Sequence, residues 1–331
     1  MTFAIHLGAL NTTIYKKGSG IVLTEPTCIA YSKSPKGAIK VTAVGTAAQK
    51  MQDKTGSDVF VATPIEFGRI VRVELVQIFL AELLKRLGDK RTDSFLFLIP
   101  CSLTTEELTA YKTVAYSCGI HNAKFIPLVI ANAIELGFGP EDSTAGLSIH
   151  ISEDGTEIGV ISFLNIVSGG SVDAGGATLT RAIREGVKKQ FSLDISAKTA
   201  LLARQETATL VPNDESQFRI NGMDIFSHII RDMVFTGKHC YEYTVPIYTE
   251  IVNAVKQVLM SCTPAIITDI VRGNIFIGGE ASWITGFREF FSKELEIAIK
   301  QNTQITDNSA ILGAGKLLNH PSLVDKIIKA N

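Results

Sequence analysis

Hydrophobic and polar positions along the chain fall into two kinds of block. Short apolar runs alternate with longer segments in which apolar residues recur with helical spacing. The runs predict β-strands over residues 3–7, 13–15, 95–99, 147–151, 157–163 and 274–277. The periodic segments predict helices over residues 74–87, 179–191, 249–260 and 287–300, and polar stretches predict loops over 32–40 and 212–217. A further helix is predicted from a capping box at Thr104 and Glu107 to about Gly119. Alternating strands and helices favour an α/β layered fold.

The strand pattern near the N-terminus recurs in the middle of the chain. A shift of 144 residues carries His6 onto His150 and Thr12 onto Thr156, and flanking apolar residues match as well. Both copies stand at the start of a half of similar length, which predicts two related α/β halves. Because tight turns between such strands present backbone N–H groups to anions, the repeat suggests a pair of phosphate-binding hairpins.

Length and charge narrow the class of protein. The chain has 331 residues, which is enough for two domains or one large bilobal unit. It carries 32 Lys+Arg and 33 Asp+Glu, a net charge of −1, and it has no basic run, so no nucleic-acid partner is indicated. A hydrophobic fraction of 46% excludes a disordered or collagen-like chain.

The five cysteines are widely separated, and no pair has the spacing of a zinc site or a disulfide framework. Scattered thiols of this kind are typical of a reducing compartment. The first residues lack the basic and apolar segments of a signal peptide, and no apolar run is long enough to cross a bilayer. The sequence therefore predicts a soluble cytoplasmic protein without a bound metal.

Six motifs follow one another in a fixed order. They are IHLGALNT (5–12), KGSGIVLTEP (17–26), VGTAA (44–48), HISEDGTE (150–157), IFIGGE (275–280) and AILGAG (310–315). In order and spacing they resemble the bacterial actin-like MreB family, within the superfamily of actins, sugar kinases and heat-shock chaperones. The resemblance covers nearly the whole chain and implies the bilobal actin-like fold, with two duplicated α/β lobes around a cleft.

The resemblance also implies four subdomains and a nucleotide site. The large subdomains would comprise residues 1–30 with 70–142 and 143–171 with 249–331, and the small ones 31–69 and 172–248. Residues at the positions that contact nucleotide in the family, if binding is retained, are Gly8, Asn11, Thr12, Gly155, Thr156, Arg204, Gly278, Gly279 and Gly313.

The same site departs from the family pattern at several positions. Each phosphate hairpin of the family carries an aspartate that approaches the magnesium–nucleotide complex, and here both positions are histidines. A neutral imidazole brings no negative charge to a hard cation. The catalytic glutamate position holds a leucine, which cannot activate water. The degenerate positions are His6, Leu128, His150, Ser152, Glu153, Asp154, Leu201 and Glu280. The sequence therefore predicts loss of ATP hydrolysis, with no catalytic residue and no cofactor; ATP with magnesium belongs to the alternative of a retained site.

Four pairs of residues in this site admit more than one interpretation. His6 and His150 either fill their hairpins or face each other, where they would bind a transition metal or respond to pH. Glu153 and Asp154 form an ordinary polar turn, repel nucleotide, or replace its phosphate by pairing with Arg204 or Lys316. Gly278 and Gly279 form a tight turn with or without a ligand. Asn11 and Thr12 either donate to a phosphate or close the first hairpin.

Function and partners follow from the resemblance. The main hypothesis is a cytoskeletal or scaffold protein of MreB type that forms a homopolymer and acts in cell shape or cell organisation. Other MreB-type proteins or a cell-envelope complex are further candidate partners. The alternatives are a functional ATP-dependent filament and a monomeric binding module. The family's membrane loop corresponds to residues 88–93, which are polar here, so the sequence argues against direct insertion and for recruitment to the inner face of the membrane through partners.

Overall fold

The computed structural model describes residues 2–34, 38–52, 54, 56, 58–88, 94–139, 143–299 and 308–330. The chain forms two compact units. The first comprises Met1–Ser143, Ile161–Val167 and Asn308–Asn331, and the second comprises Thr144–Val160 and Ser168–Asp307. The division into four subdomains stays a prediction.

The part of the chain before residue 140 contributes strands and helices to the first unit. Its strands are β1 (Phe3–Leu7), β2 (Asn11–Lys16), β3 (Gly20–Pro26), β4 (Ile29–Lys33), β5 (Ile39–Val44), β6 (Phe60–Ala62), β7 (Ile65–Glu66), β8 (Arg69–Ile70), β9 (Phe95–Ile99) and β10 (Ala123–Pro127). Its helices are α1 (Thr46–Gln49), α2 (Val73–Arg86), α3 (Thr105–Ser117) and α4 (Leu128–Glu135).

The remaining elements begin at residue 146. The strands are β11 (Gly146–Ile151), β12 (Thr156–Ser162), β13 (Asn165–Val172), β14 (Leu193–Asp194), β15 (Gln217–Asp224), β16 (Ile230–Thr236) and β17 (Ile275–Gly278). The helices are α5 (Gly176–Phe191), α6 (Ala197–Thr207), α7 (Gly237–Met260), α8 (Pro264–Val271), α9 (Phe287–Leu295), α10 (Ser309–Leu317) and α11 (Pro321–Ala330), with a 3₁₀ turn at Glu280–Ser282.

The main sheet of the first unit has the strand order β10-β9-β1-β2-β3. β9 pairs in parallel with both β1 and β10. β2 pairs antiparallel with both β1 and β3. Every residue of β9 is buried, as expected for a parallel strand covered on both faces. Phe3 stacks on Phe95, and Phe79 of α2 is fully buried in the same core.

The second large sheet repeats part of the first. Its order is β13-β12-β11-β17, and β11 and β17 are parallel with His150 opposite Gly278. The order β9-β1-β2-β3 therefore corresponds to β17-β11-β12-β13, which confirms the repeat of the strand pattern at 144 residues. The core beneath this sheet contains Ile183 of α5, Tyr248 of α7 and Phe291 of α9.

The element predictions hold best where the apolar run or the cap is strong. The capping box at Thr104 is confirmed: its hydroxyl accepts from the N–H of Glu107, whose carboxylate accepts from the N–H of Thr104. The helix predicted from residue 249 instead begins at Gly237, and Pro246 lies inside it. The helix predicted over 287–300 ends at Leu295, because Glu296 adopts a left-handed conformation.

The predicted loop over residues 32–40 is wrong at both ends, since β4 extends to Lys33 and β5 begins at Ile39. Residues 35–37 lie outside the described part of the chain, as does Lys300. The predicted loop over residues 212–217 is confirmed except for Gln217, which begins β15.

Candidate functional site

The first hairpin, between β1 and β2, is closed by a threonine pair. The Thr12 and Thr27 hydroxyl oxygens lie 2.9 Å apart, and the Thr27 hydroxyl donates to the Gly8 carbonyl over 2.6 Å. The N–H of Gly8 donates to the carbonyl of Asn11. Thr12 is fully buried, whereas Asn11 is exposed. Thr12 thus closes the hairpin, and a contact of Asn11 with phosphate stays a prediction.

The second hairpin, between β11 and β12, is held together by its own polar groups. The Ser152 hydroxyl donates to Asp154 Oδ1 over 2.6 Å, and the Ser152 N–H donates to the Gly155 carbonyl over 2.9 Å. The buried Thr156 hydroxyl donates to the carbonyl of Ala174 over 2.7 Å. The two matching threonines of the repeat, Thr12 and Thr156, therefore both bond within their own units.

Glu153 projects from this hairpin toward α6 and forms an ion pair with Arg204. Arg204 Nη2 lies 2.5 Å from Glu153 Oε1, and Nη1 lies 2.8 Å from Oε2, so the guanidinium is bidentate. The two side chains are only 11% and 12% exposed. Of the two candidate partners, Arg204 is thus the one that pairs with Glu153. Lys316 contacts Glu135, at 3.0 Å from its Oε2.

The start of α5 is fitted against the same hairpin. The N–H groups of Gly176 and Ala177 donate to the carbonyls of Ser152 and Glu153 over 3.0 and 2.6 Å. A Cβ at Gly176 would lie 2.3 Å from Arg204 Nη1 and 2.4 Å from Glu153 Oε1. A side chain at position 176 would therefore displace the ion pair. The sequence prediction missed this contact, although the Gly-Gly step at 175–176 before a helix is a signal that could have indicated it.

Glu280 also contacts Glu153 and follows β17, from which Gly279 separates it. Its Oε1 accepts a hydrogen bond from the N–H of Glu153 over 2.9 Å. Burial raises the pKa of the Glu280 carboxyl to about 7; the carboxylates of Glu153 and Asp154 also raise it, while backbone hydrogen bonds lower it. Gly279, which precedes it, has φ +94°, and a Cβ there would lie 2.2 Å from the Ile151 carbonyl oxygen. The turn therefore needs glycine for the fold alone.

These side chains border a cavity of about 330 Å³ within the second unit. Its polar wall contains Glu153, Arg204, Glu206 and Glu280, and its apolar wall includes Leu179, Tyr248 and Trp283. The buried Tyr248 hydroxyl donates to the carbonyl of Ala281, and burial raises its pKa. The cavity could enclose a small organic molecule, but its one described guanidinium is already bound to Glu153. Sequence reasoning had not identified Glu206, Tyr248 or Trp283.

Of the other predicted positions, Leu128, Leu201 and Gly313 lie in helices, and His6 and His150 lie in strands. Leu201 lies one turn before Arg204 in α6 and is half-buried. Leu128 is the first residue of α4 and is buried. Gly313 of α10 packs against α4 so closely that a Cβ would lie 1.9 Å from the Ala131 carbonyl oxygen. His6 lies in β1 and His150 at the end of β11, each in its own unit.

Within the described residues, no group of three or more His, Cys, Asp or Glu side chains could hold a metal ion. No helix in that same part of the chain combines the length and the apolar character needed to cross a bilayer. Residues 89–93 of the predicted membrane-loop equivalent lie outside the described residues.

Comparison with known proteins decides the family. The model of the MreB/Mbl protein family matches residues 1–326. The chain belongs to the MreB/Mbl family. The cell shape-determining protein Mbl of Bacillus subtilis is 28% identical over 329 residues, which are 98% of this chain and 97% of that protein. The cell shape-determining protein MreB of Escherichia coli K12 is 29% identical over 285 residues, or 84% and 82% of the two chains.

Solved structures show that this MreB/Mbl chain has the actin-like fold. The crystal structure of MreB5 of Spiroplasma citri bound to ADP matches with a TM-score of 0.88 at 24% identity, covering 98% of this chain and 97% of that one. A MamK double helical filament matches with a TM-score of 0.74 at 14% identity, covering 96% and 98%. The predicted fold class is therefore confirmed.

Proposed function

We propose that this MreB-type protein forms filaments without hydrolysing ATP, because its own side chains close the nucleotide site of the second unit. The observation that carries the proposal is the bidentate ion pair between Glu153 and Arg204. In this proposal the Glu153 carboxylate takes the place of an anionic ligand. The names of the curated relatives, which are cell shape-determining proteins, support a role in cell shape or cell organisation.

The hydrogen-bond donors around the second hairpin support closure. The Arg204 guanidinium is bound to Glu153, the first N–H groups of α5 are bound to the hairpin carbonyls, and the Thr156 hydroxyl is bound to Ala174. A phosphate would have to displace all three sets of bonds. It would also meet the negative charges of Glu153 and Asp154, which repel it at short range.

Loss of hydrolysis is supported by the side chains at the chemical positions. Leu128 is buried and offers no group that could accept a proton from water. His6 and His150 offer nitrogen rather than the anionic oxygen that magnesium prefers. The pocket wall could still accept a neutral molecule, so binding and hydrolysis must be measured separately.

We expect no saturable binding of magnesium–ATP to the protein at millimolar nucleotide, and no ATPase rate above background. Removal of the blocking charges in the double variant Glu153→Gly/Asp154→Gly should free Arg204 and improve ATP affinity by at least about tenfold. Isothermal titration and phosphate release measure the two quantities. The variant Glu206→Gln, which changes an exposed carboxylate of the same cavity, serves as the matched control. A magnesium-dependent ATPase in the parent protein would refute closure.

Assembly requires an exposed surface, and the turn between β15 and β16 offers one. Phe226, Ile229 and Ile230 are 79%, 67% and 75% exposed. The turn is rigidly held, since Asp224 Oδ1 accepts from the N–H groups of Phe226 and Ser227, both over 3.0 Å. We call residues 225–230 the hairpin tip. An apolar patch presented on an ordered turn is typical of a protein contact, and a head-to-tail contact with a second copy gives an open filament.

The double variant Phe226→Asp/Ile229→Asp is expected to abolish filaments, because two carboxylates would be buried at each contact. Sedimentation and electron microscopy, with and without ATP, measure assembly. Met260→Asp changes a single apolar residue that is 85% exposed and should leave assembly intact. Filaments of the parent without nucleotide support the proposal. Filaments only with ATP would favour a functional ATPase, and their absence under all conditions would favour a monomeric binding module. Other MreB-type proteins and a cell-envelope complex remain proposed partners.

A further inference from the structure

Two carboxylates of the second unit, Glu153 and Glu280, lie on the wall of a cavity beside one described cation, Arg204. Glu153 is paired with Arg204, and Glu280 accepts the backbone N–H of the same Glu153 residue. Among the described residues that line the cavity, Arg204 is the only basic one. An ionised Glu280 thus stands in a half-buried position beside Glu153 with no positive partner of its own on the described cavity wall, which is an unfavourable state.

The charged and titratable groups around Glu280 come from three elements. They are Glu153 and Asp154 of the second hairpin, Arg204 and Glu206 of α6, and Tyr248 of α7, while His150 of β11 lies opposite Gly278, two residues before Glu280. Burial is the main cause of the raised pKa of Glu280, about 7, and the two hairpin carboxylates act in the same direction. Protonation of Glu280 removes its repulsion of Glu153 and leaves the ion pair intact. Ionisation restores that repulsion at the cavity wall.

We propose that Glu280 acts as a proton-operated switch of this cavity. With the proton bound, the 3₁₀ turn Glu280–Ser282 packs against the second hairpin; with the proton released, the wall loosens and water enters beside Glu153. The inference rests on the closed second-unit site of the proposed function, but it does not depend on filament formation or on the absence of ATP hydrolysis.

The geometry of the turn transmits the change. Gly279 is packed against the Ile151 carbonyl, and the Ser282 hydroxyl donates to the Gly279 carbonyl over 2.7 Å. The Ala281 carbonyl is bound by Tyr248. Glu280 therefore lies in a turn fixed on both sides, and movement of its carboxylate away from Glu153 breaks its hydrogen bond with the Glu153 N–H. Trp283 follows this turn directly, lines the cavity, and is the single tryptophan of the chain.

Trp283 makes the switch measurable. Fluorescence of the full chain, without nucleotide and below the concentration at which light scattering detects assembly, is followed from about pH 5.5 to pH 8.5. We expect emission to shift to longer wavelength and acrylamide quenching to increase, with a midpoint near 7. Circular dichroism should stay constant over that range, because the change is local.

Variants assign the transition to Glu280. Glu280→Gln should abolish it. Glu185→Gln, which changes an exposed carboxylate of α5 outside the cavity lining, should leave it unchanged. Asp154→Asn, which keeps the shape of the hairpin, should move the midpoint to lower pH because one repelling charge is lost. His150→Asn tests the rival titrating group and should leave the transition in place. If Glu280→Gln does not fold, the midpoint pH of the transition in Asp154→Asn tests the switch instead, and an unchanged midpoint would contradict it.

Stability gives an independent readout. Because the folded pKa of Glu280 is raised, its stabilising contribution is fully present below the ordinary value of 4.5 and is lost as the pH rises through about 7. The equilibrium constant for unfolding of the second unit should therefore rise between pH 5 and pH 8 by about a hundredfold more in the parent than in Glu280→Gln. Urea unfolding at the two pH values measures it. A transition that persists in Glu280→Gln, that disappears in His150→Asn, or that is absent from the parent would overturn the switch. ATP binding by the parent would leave it standing.

Discussion

Replacement of Arg204 by methionine is expected to lower the free energy of unfolding of the second unit by about 3–5 kcal/mol, the usual cost of leaving one partner of a buried ion pair alone. Glu153 would remain mostly buried and would lose both guanidinium hydrogen bonds. Urea unfolding followed by Trp283 fluorescence measures the change where it occurs.

Two further variants separate the ion pair from the packing of the side chain. Arg219→Met removes a guanidinium that is 75% exposed and lies 3.6 Å from Asp232, so its cost should stay below about 1 kcal/mol. The double variant Glu153→Gln/Arg204→Met should recover most of the loss, since no charge is left unpaired. Equal losses of unfolding free energy in Arg204→Met and Arg219→Met would show that the buried Glu153–Arg204 pair stabilises the protein no more than an exposed pair.

The second large effect concerns the first unit. Gly313→Ala is expected to destabilise that unit by about 3 kcal/mol, because overpacking of this kind forces the backbone apart. The added methyl would lie 1.9 Å from the Ala131 carbonyl oxygen and 2.7 Å from its carbonyl carbon. These atoms belong to the backbone of α4, so no side-chain rotation relieves the contact. Hydrogen exchange of peptides from α4 and α10 should rise while that of α6 stays unchanged.

The matched substitution is Gly56→Ala. No atom lies within 4 Å of a Cβ at Gly56, and its φ is not positive, so thermal unfolding should shift little. Gly315→Ala should cause an intermediate loss of stability, because its Cβ would lie 2.5 Å from the ring of the Tyr15 side chain. A smaller effect of Gly313→Ala than of Gly315→Ala would contradict close packing between α10 and α4.

Much of the fold is predictable because its signals are local. β1 and β9 are apolar runs whose bounds agree with the prediction, and α3 has a cap that can be identified from Thr104 and Glu107. The antiparallel pair β15 and β16 was missed, because apolar residues such as Ile230 and Val234 are exposed there and the alternation does not report burial. Pro246 obscured the first half of α7, since a proline usually ends a helical pattern.

The candidate site depends on contacts that no local pattern contains. Glu153 and Arg204 are 51 residues apart, and the sequence allowed Lys316 as an equally good partner. Only tertiary packing places the guanidinium of Arg204 against the hairpin and the ammonium of Lys316 beside Glu135. The raised pKa of Glu280 is likewise a result of burial and of the neighbouring carboxylates, which the sequence letters do not reveal.

The two hairpin threonines affect how other sequences of this family should be interpreted. Thr12 and Thr156 occupy matching places in the repeat, and each is buried with its hydroxyl bonded inside its own unit. The fold alone therefore selects for threonine at these positions, whatever becomes of the ligand. A relative that keeps both threonines gives no indication that it binds nucleotide. Under the proposed closure, the informative positions are those of Glu153 and Glu280.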